Sequence, residues 1–296
     1  MSLLYLVGYD GSPASRAAAG LTVVLAEAEG AQVVAAHVHA GVSPLYAQVG
    51  IDAGPELFEA LRRHGEEVLG GLDVPGIAER VLLDGSPAQA LHELAEERGA
   101  SIIAVGLTQR EGLERLVAGS VPASLLHGSP CPVLTVPADA RIAPPRVVAV
   151  AYDGRPESRR ALDAAGRLAT VLQAELELLG TFEPAVAANP LASGVDVEAD
   201  LHAAFVRLME EAAASVSGVR VRNRILVGGP GHEIVEATRE GVDLLVTGSR
   251  GYGPLRSVVL GSVSRFVVDH AACPVLVIPR TAEAEVDREP APSADE

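Results

Sequence analysis

The chain has 296 residues, 48% of them apolar, and a formal net charge of −16; the length suits two domains of about 100 to 150 residues, and the composition is that of a globular chain. So acidic a balance argues against a nucleic-acid partner, which needs a basic face, and no stretch reaches the roughly 18 uninterrupted apolar residues of a membrane span. All 23 basic residues are arginines, so a P-loop lysine, a protein-kinase strand lysine and a Schiff-base lysine are excluded together.

Read from the amino terminus, residues 3–9 form an apolar run that suits a strand and ends at Asp10-Gly11-Ser12-Pro13. Ser12 as N-cap and Pro13 in the first turn start a helix that runs to about Glu29 and stops at Gly30. Residues 32–39 read as a second strand, and a polar excursion over 41–55 leads to a helix ending near Leu69. A strand over 77–83, a helix over 86–98, a strand over 101–105, a helix over 119–127 and a strand over 132–136 complete the unit.

The unit is then written again. VGYDGSPASRAA from Val7 recurs as VAYDGRPESRRA from Val150, and GSPCPVLTVP from Gly128 recurs as HAACPVLVIP from His270, an offset of about 142 residues. Domains over 1–140 and 146–281 follow, joined by the helix-breaking Ala143-Pro144-Pro145. Strands of the second copy fall near 146–152, 175–181, 219–227, 243–247 and 274–278. Alternating short apolar strands and helices predict an α/β fold with a parallel sheet covered on both faces. In such sheets the ligand crevice lies outside the carboxyl ends of the strands, where the strand order reverses. The tail, 282–296, carries six acidic residues and one arginine with no apolar period, and is expected to be disordered. Cys131 and Cys273, each before a proline at matching points, read as small buried residues ahead of a disulfide, a metal pair or a reactive thiol. The amino terminus has no basic region followed by an apolar signal core, so a cytoplasmic location is expected.

The most informative stretch is LLVTGSRGYGPLRSVVLGSVSRFVVDHAACPVLVIP, from Leu244 to Pro279. An apolar strand breaks at Gly248, a Gly-rich loop passes Gly251, and a helix begins at Gly261-Ser262. A loop that leaves a parallel strand and enters a helix amino terminus offers unpaired N–H groups and the positive end of the helix dipole to a phosphate. Glycines there let an anion approach the backbone. Gly248, two residues, Gly251, nine residues, Gly261-Ser262, followed by Cys-Pro-Val-Leu-Val-Ile-Pro, resembles the nucleotide signature of the universal stress protein family in its ATP-binding branch. Over residues 1–280 this resemblance implies two tandem five-stranded parallel-sheet domains of order 3-2-1-4-5, adenine nucleotide α-hydrolase-like, paired through their fifth strands. One chain would then be a pseudo-dimer, with homodimerisation open and ATP, with or without magnesium, as the ligand.

The resemblance places Asp153, after strand one, against the adenosine part of ATP, and Thr181, after strand two, where the family's backbone meets adenine. The alternative is an aspartate that only caps the following helix. Gly248, Gly251, Gly261, Ser262, Val263 and Ser264 would surround ribose and phosphates, with Arg250 and Arg256 as local cations that could instead be solvated. The matching positions of copy one are Asp10, Val38, Gly106, Gly119, Ser120 and Val121. There Gln109 stands in the place of Gly251 and Pro122 in that of Ser264, so this second site is expected to be weaker, and Gly106→Gln nearly silent. No catalytic or metal set stands out, and His232 beside Gly231 reads as solvated rather than as a ligand contact. Asp-Gly-Arg or Asp-Gly-Ser follows strand one, where related adenylyl-transferring enzymes carry Ser-Gly-Gly. Three functions are compatible with this pattern: an ATP-binding regulatory module of stress responses, a slow ATPase or self-phosphorylating protein using Ser262, Ser264 or Ser249, and a dimeric scaffold without nucleotide.

Overall fold

The computed structural model describes residues 3–39, 55–107, 121–183, 197–249 and 261–279. The expected tail, Arg256 and the middle of both Gly-rich loops lie outside these residues. Copy one comprises β1 (Leu4–Gly8), α1 (Pro13–Glu29), β2 (Gln32–His39), α2 (Pro55–Gly70), β3 (Ile77–Asp84), α3 (Pro87–Arg98), β4 (Ile102–Leu107), α4 (Val121–Leu125) and β5 (Val133–Pro137). Copy two repeats the order with β6 (Val147–Ala151), α5 (Pro156–Leu172), β7 (Glu175–Phe182), α6 (Val197–Ser215), β8 (Val221–Val227), α7 (Pro230–Thr238), β9 (Leu244–Gly248), α8 (Ser262–His270) and β10 (Val275–Ile278).

All ten strands form one sheet in the order β3-β2-β1-β4-β5-β10-β9-β6-β7-β8. Within each copy neighbouring strands are parallel. At the seam β5 and β10 run antiparallel, with Thr135 opposite Val275 and Val133 opposite Val277. The expected 3-2-1-4-5 order and the pairing of fifth strands are therefore both present. Across the seam the buried Thr135 hydroxyl donates to the Val275 carbonyl at 3.3 Å.

Residues of alternate strand positions enter two cores, one on each face. Tyr5, Val7, Ala35, Val148, Val150 and Leu176 pack with α1, α2, α5 and α6, whereas Leu6, Val34, Ile103, Ala149 and Leu245 pack with α3, α4, α7 and α8. Each core draws residues from both copies, so the apolar layers continue across the seam. Strands covered on both sides explain why they read as continuous apolar runs rather than alternating ones. The outer strand β8 carries Arg222 and Arg224, charges that discourage further strand addition. Arg222 also donates at 2.9 Å to Glu177 on β7, a carboxylate whose side chain is only 1% exposed. A buried carboxylate needs such a partner.

The two copies fill one equivalent space by opposite means. In copy two Gly180 lies under α6, where a Cβ would stand 2.6 Å from Met209 Sδ. In copy one the strand supplies His37 and the helix supplies Gly65, whose added Cβ would meet His37 Cδ2 at 3.0 Å. The bulk has changed sides, and His37 Nδ1 reaches the Tyr9 carbonyl at 2.7 Å. Among the described residues no helix is long and apolar enough to cross a membrane.

Each half alone would leave the apolar edge of its fifth strand unpaired. We expect fragments 1–140 and 146–296, produced separately, to self-associate or to pair when mixed; sedimentation velocity showing two stable monomers at high concentration would contradict this. Both cysteines are free and buried, and burial pushes each thiol up to about 12. The native protein at pH 8 should therefore leave both thiols unlabelled by a disulfide reagent and release two equivalents on denaturation, since only the thiolate reacts.

Candidate functional site

Strand one of each copy ends in a turn built the same way. In copy two, Asp153 Oδ1 accepts from the Arg155 N–H at 3.1 Å, the Asp153 N–H donates to Ser158 Oγ at 3.3 Å, and that hydroxyl donates to the Arg155 carbonyl at 3.0 Å. Between them Gly154 takes φ +80°, and a Cβ there would also meet Leu208 at 2.9 Å. Only glycine adopts this turn without strain. Asp10, Gly11, Ser12 and Ser15 reproduce the turn in copy one, with Ser12 N–H to Asp10 Oδ1 at 2.9 Å and Gly11 at φ +80°. Partial burial works to raise the Asp10 carboxyl, but hydrogen bonds from Ser12 and Ser15 outweigh it and hold the group below the ordinary aspartate range. The stability this adds is complete at neutral pH and is lost as the pH falls through the depressed value. The capping role foreseen as an alternative for these aspartates is not what is seen: the N-caps are Ser12 and Arg155, and each aspartate instead closes a turn onto the N-cap residue's N–H, which in copy two occupies one carboxylate oxygen of a residue that also faces a cleft.

That cleft lies outside the carboxyl ends of β6, β7 and β9. Asp153, Thr181, Gly248, Val263 and Ser264 line it together with Arg155, Glu157, Pro230 and Ile234. Thr181 sits near the end of β7, opposite Leu226 of β8. Gly261 caps α8 with φ −62° and no side-chain hydrogen bond, so the first amides of the helix are not satisfied by a capping side chain. Ser262 is exposed at the first helical position. The Ser264 hydroxyl is buried and donates to the Gly248 carbonyl at 2.8 Å, tying the helix start to the strand end. The Ser249 hydroxyl is also buried.

Gly248 is a glycine for a different reason from a left-handed turn. A Cβ there would stand 2.5 Å from the Glu157 carbonyl oxygen, because the first turn of α5 rests on the end of β9. Gly106 occupies the same place in copy one: a Cβ would lie 2.8 Å from Ala14 Cβ and nearer still to the Ala14–Ser15 peptide. The expected silence of Gly106→Gln is therefore corrected, since the position is a packing contact before it is a ligand contact. Val38 and Val121 pack on the α3 and α4 side of the core, and Pro122 is buried in the first turn of α4. Arg250, Gly251, Gly119, Ser120 and Gln109 lie outside the described residues.

Sequence reasoning missed Arg155, Glu157, Pro230 and Ile234. Arg155 could have been found, because the second residue after a turn aspartate returns to it. Ile234 comes from the helix after the third strand of the copy, and no local pattern marks it as facing a crevice formed by the first, second and fourth strands. His232 is 70% exposed, with Glu233 as its neighbour at 3.4 Å, and does not line the cleft.

Comparison with known proteins agrees with this architecture. The family model described as "Universal stress protein family" matches residues 5–137 and again 145–279. Universal stress protein YxiE of Bacillus subtilis is 36% identical over 141 residues, which is 44% of this chain and 95% of that protein. Universal stress protein Rv2005c of Mycobacterium tuberculosis is 29% identical over 202 residues, covering 66% and 67% of the two chains. The crystal structure of a universal stress protein from Archaeoglobus fulgidus superposes with a TM-score of 0.71 at 24% identity, across 95% of this chain and 97% of that one; this likeness speaks for the fold.

The packing at Gly106 and Gly248 has a measurable consequence. Gly106→Ala and Gly248→Ala should each lose about 1–3 kcal/mol of stability by overpacking against rigid backbone, read as a lower denaturant midpoint. An unchanged midpoint in both would show that the helix starts yield freely.

Proposed function

The chain belongs to the universal stress protein family, with two copies of the domain in one polypeptide, and from that premise we propose that it is an ATP-binding regulatory module whose working site is the cleft of copy two. The observation that carries this reading is the convergence, at the carboxyl ends of β6, β7 and β9, of a turn carboxylate, a strand-end threonine and the uncapped amino terminus of α8. A carboxylate accepts from hydroxyl or amine donors of a nucleoside, and free helix amides suit its phosphates. Magnesium would arrive on phosphate oxygens and water, as it does in most nucleotide sites. A role in the stress response and a place in the cytoplasm are part of the proposal.

Copy two is the stronger site in this reading. Copy one replaces Ser264 by Pro122, which lacks both the N–H and the hydroxyl, and Gly251 by Gln109. Thr181 becomes Val38, and its neighbour Phe182 becomes His39, which pairs with Asp84. The self-phosphorylation reading is narrowed by burial: Ser264 is 6% exposed and Ser249 is 1% exposed, which leaves Ser262 as the exposed acceptor of the three.

The nucleotide that leaves the purified protein on denaturation, identified by mass spectrometry, tests the ligand, and calorimetry on the stripped protein tests the asymmetry. One strong ATP site per chain is expected. Gly251→Gln should cost at least about tenfold in affinity, because each lost charge-assisted hydrogen bond is worth roughly 1.5–3 kcal/mol. Two equal sites, or unimpaired binding by Gly251→Gln, would overturn the asymmetry; no nucleotide binding at all would overturn the function.

A further inference from the structure

One resident of the copy-two cleft has no counterpart in copy one. Arg155, the N-cap position of α5, lines the cleft, and its Nη1 lies 3.6 Å from Asp153 Oδ2. Its backbone N–H already holds Oδ1 of the same carboxylate. One residue thus addresses both oxygens of Asp153. In copy one the equivalent residue is Ser12, whose hydroxyl instead caps α1 by accepting from the Ser15 N–H at 3.1 Å. Arg155 makes no side-chain cap to its helix, so its side chain is free to turn toward the aspartate.

We infer that Arg155 is a built-in competitor for Asp153, a cation that a ligand's hydroxyl or amine must displace to reach the carboxylate. The inference rests on the nucleotide reading of this cleft. Its direction follows from charge. A neutral donor meets Oδ2 while a guanidinium of the same chain stands within ion-pair reach, and bringing in the ligand means giving up that pair. Its size follows from exposure. The two side chains are 56% and 41% exposed, and pairs this open are worth little, so the effect on affinity is about two- to fivefold, not orders of magnitude. The device sets the threshold of the site, and it makes binding of even an uncharged nucleoside sensitive to salt, because screening weakens the internal pair.

Arg155→Ser, which copies Ser12 into copy two, is the test. Calorimetry with adenosine and with ATP on the stripped full-length protein, at low and high salt, distinguishes the outcomes. Competition predicts that the variant binds both ligands about two- to fivefold tighter. It also predicts that adenosine affinity rises with salt in the unmodified protein and rises less steeply in the variant. The variant should melt no lower, since serine is a good N-cap, and a lower melting temperature with tighter binding still supports the inference. Weaker ATP binding with adenosine unchanged would make Arg155 a phosphate anchor and overturn it, as would equal affinities in the two proteins. If neither protein bound either ligand, the nucleotide reading would fall and this inference with it, whereas binding that appears only in the variant would uphold the competition.

Discussion

The antiparallel pairing of β5 with β10 is the constraint on which the rest of the molecule depends. Each copy builds a parallel sheet whose fifth strand is apolar on both faces and, alone, would present a row of free N–H and C=O groups at an apolar edge. Joining the two edges satisfies those groups and lets both core layers run from one copy into the other. The ladder is short, with Val275, Leu276 and Val277 facing Thr135, Leu134 and Val133, and the continuous side-chain layers above and below it carry the remainder of the contact.

The direction of that pairing also decides which way the strand ends of each copy face. Strands are parallel within a copy and antiparallel across the seam, so the carboxyl ends of the two sets point to opposite edges of the ten-stranded sheet. The copy-two cleft therefore opens on the side of the sheet away from the carboxyl ends of the copy-one strands. The two copies differ in residues packed near their strand ends. Copy two pairs a small strand residue, Gly180, with a large helix residue, Met209, and copy one has His37 over Gly65. Copy two also has Arg155 where copy one has Ser12, and Ser264 where it has Pro122.

Packing contacts and the cleft lining share residues at the strand ends. Gly248 accommodates the first turn of α5 and also lines the cleft, and Ser264 holds the start of α8 to the Gly248 carbonyl while facing the same space. The glycine of the loop signature is thus required by the approach of one backbone to another, whatever the ligand. Its presence in copy one at Gly106, where Gln109 and Pro122 depart from the pattern, is understandable on that ground alone.

The sequence by itself determined the repeat, the order of strands and helices, and the side of the sheet on which a crevice must lie. Those features depend on local periodicity, on Pro13 and Pro156 in first helical turns, and on Gly11 and Gly154 in turns that demand positive φ, and each of these is written within a few neighbouring residues. The exchange of volume between His37 and Gly180 and the entry of Ile234 into the cleft were decided only by the tertiary structure. They join residues far apart in the chain, whose meeting depends on how helices settle on a twisted sheet. Arg155 stands between the two cases: its return to Asp153 is local, but its position in a cleft with Thr181 and Ser264 exists only because three parallel strands end side by side.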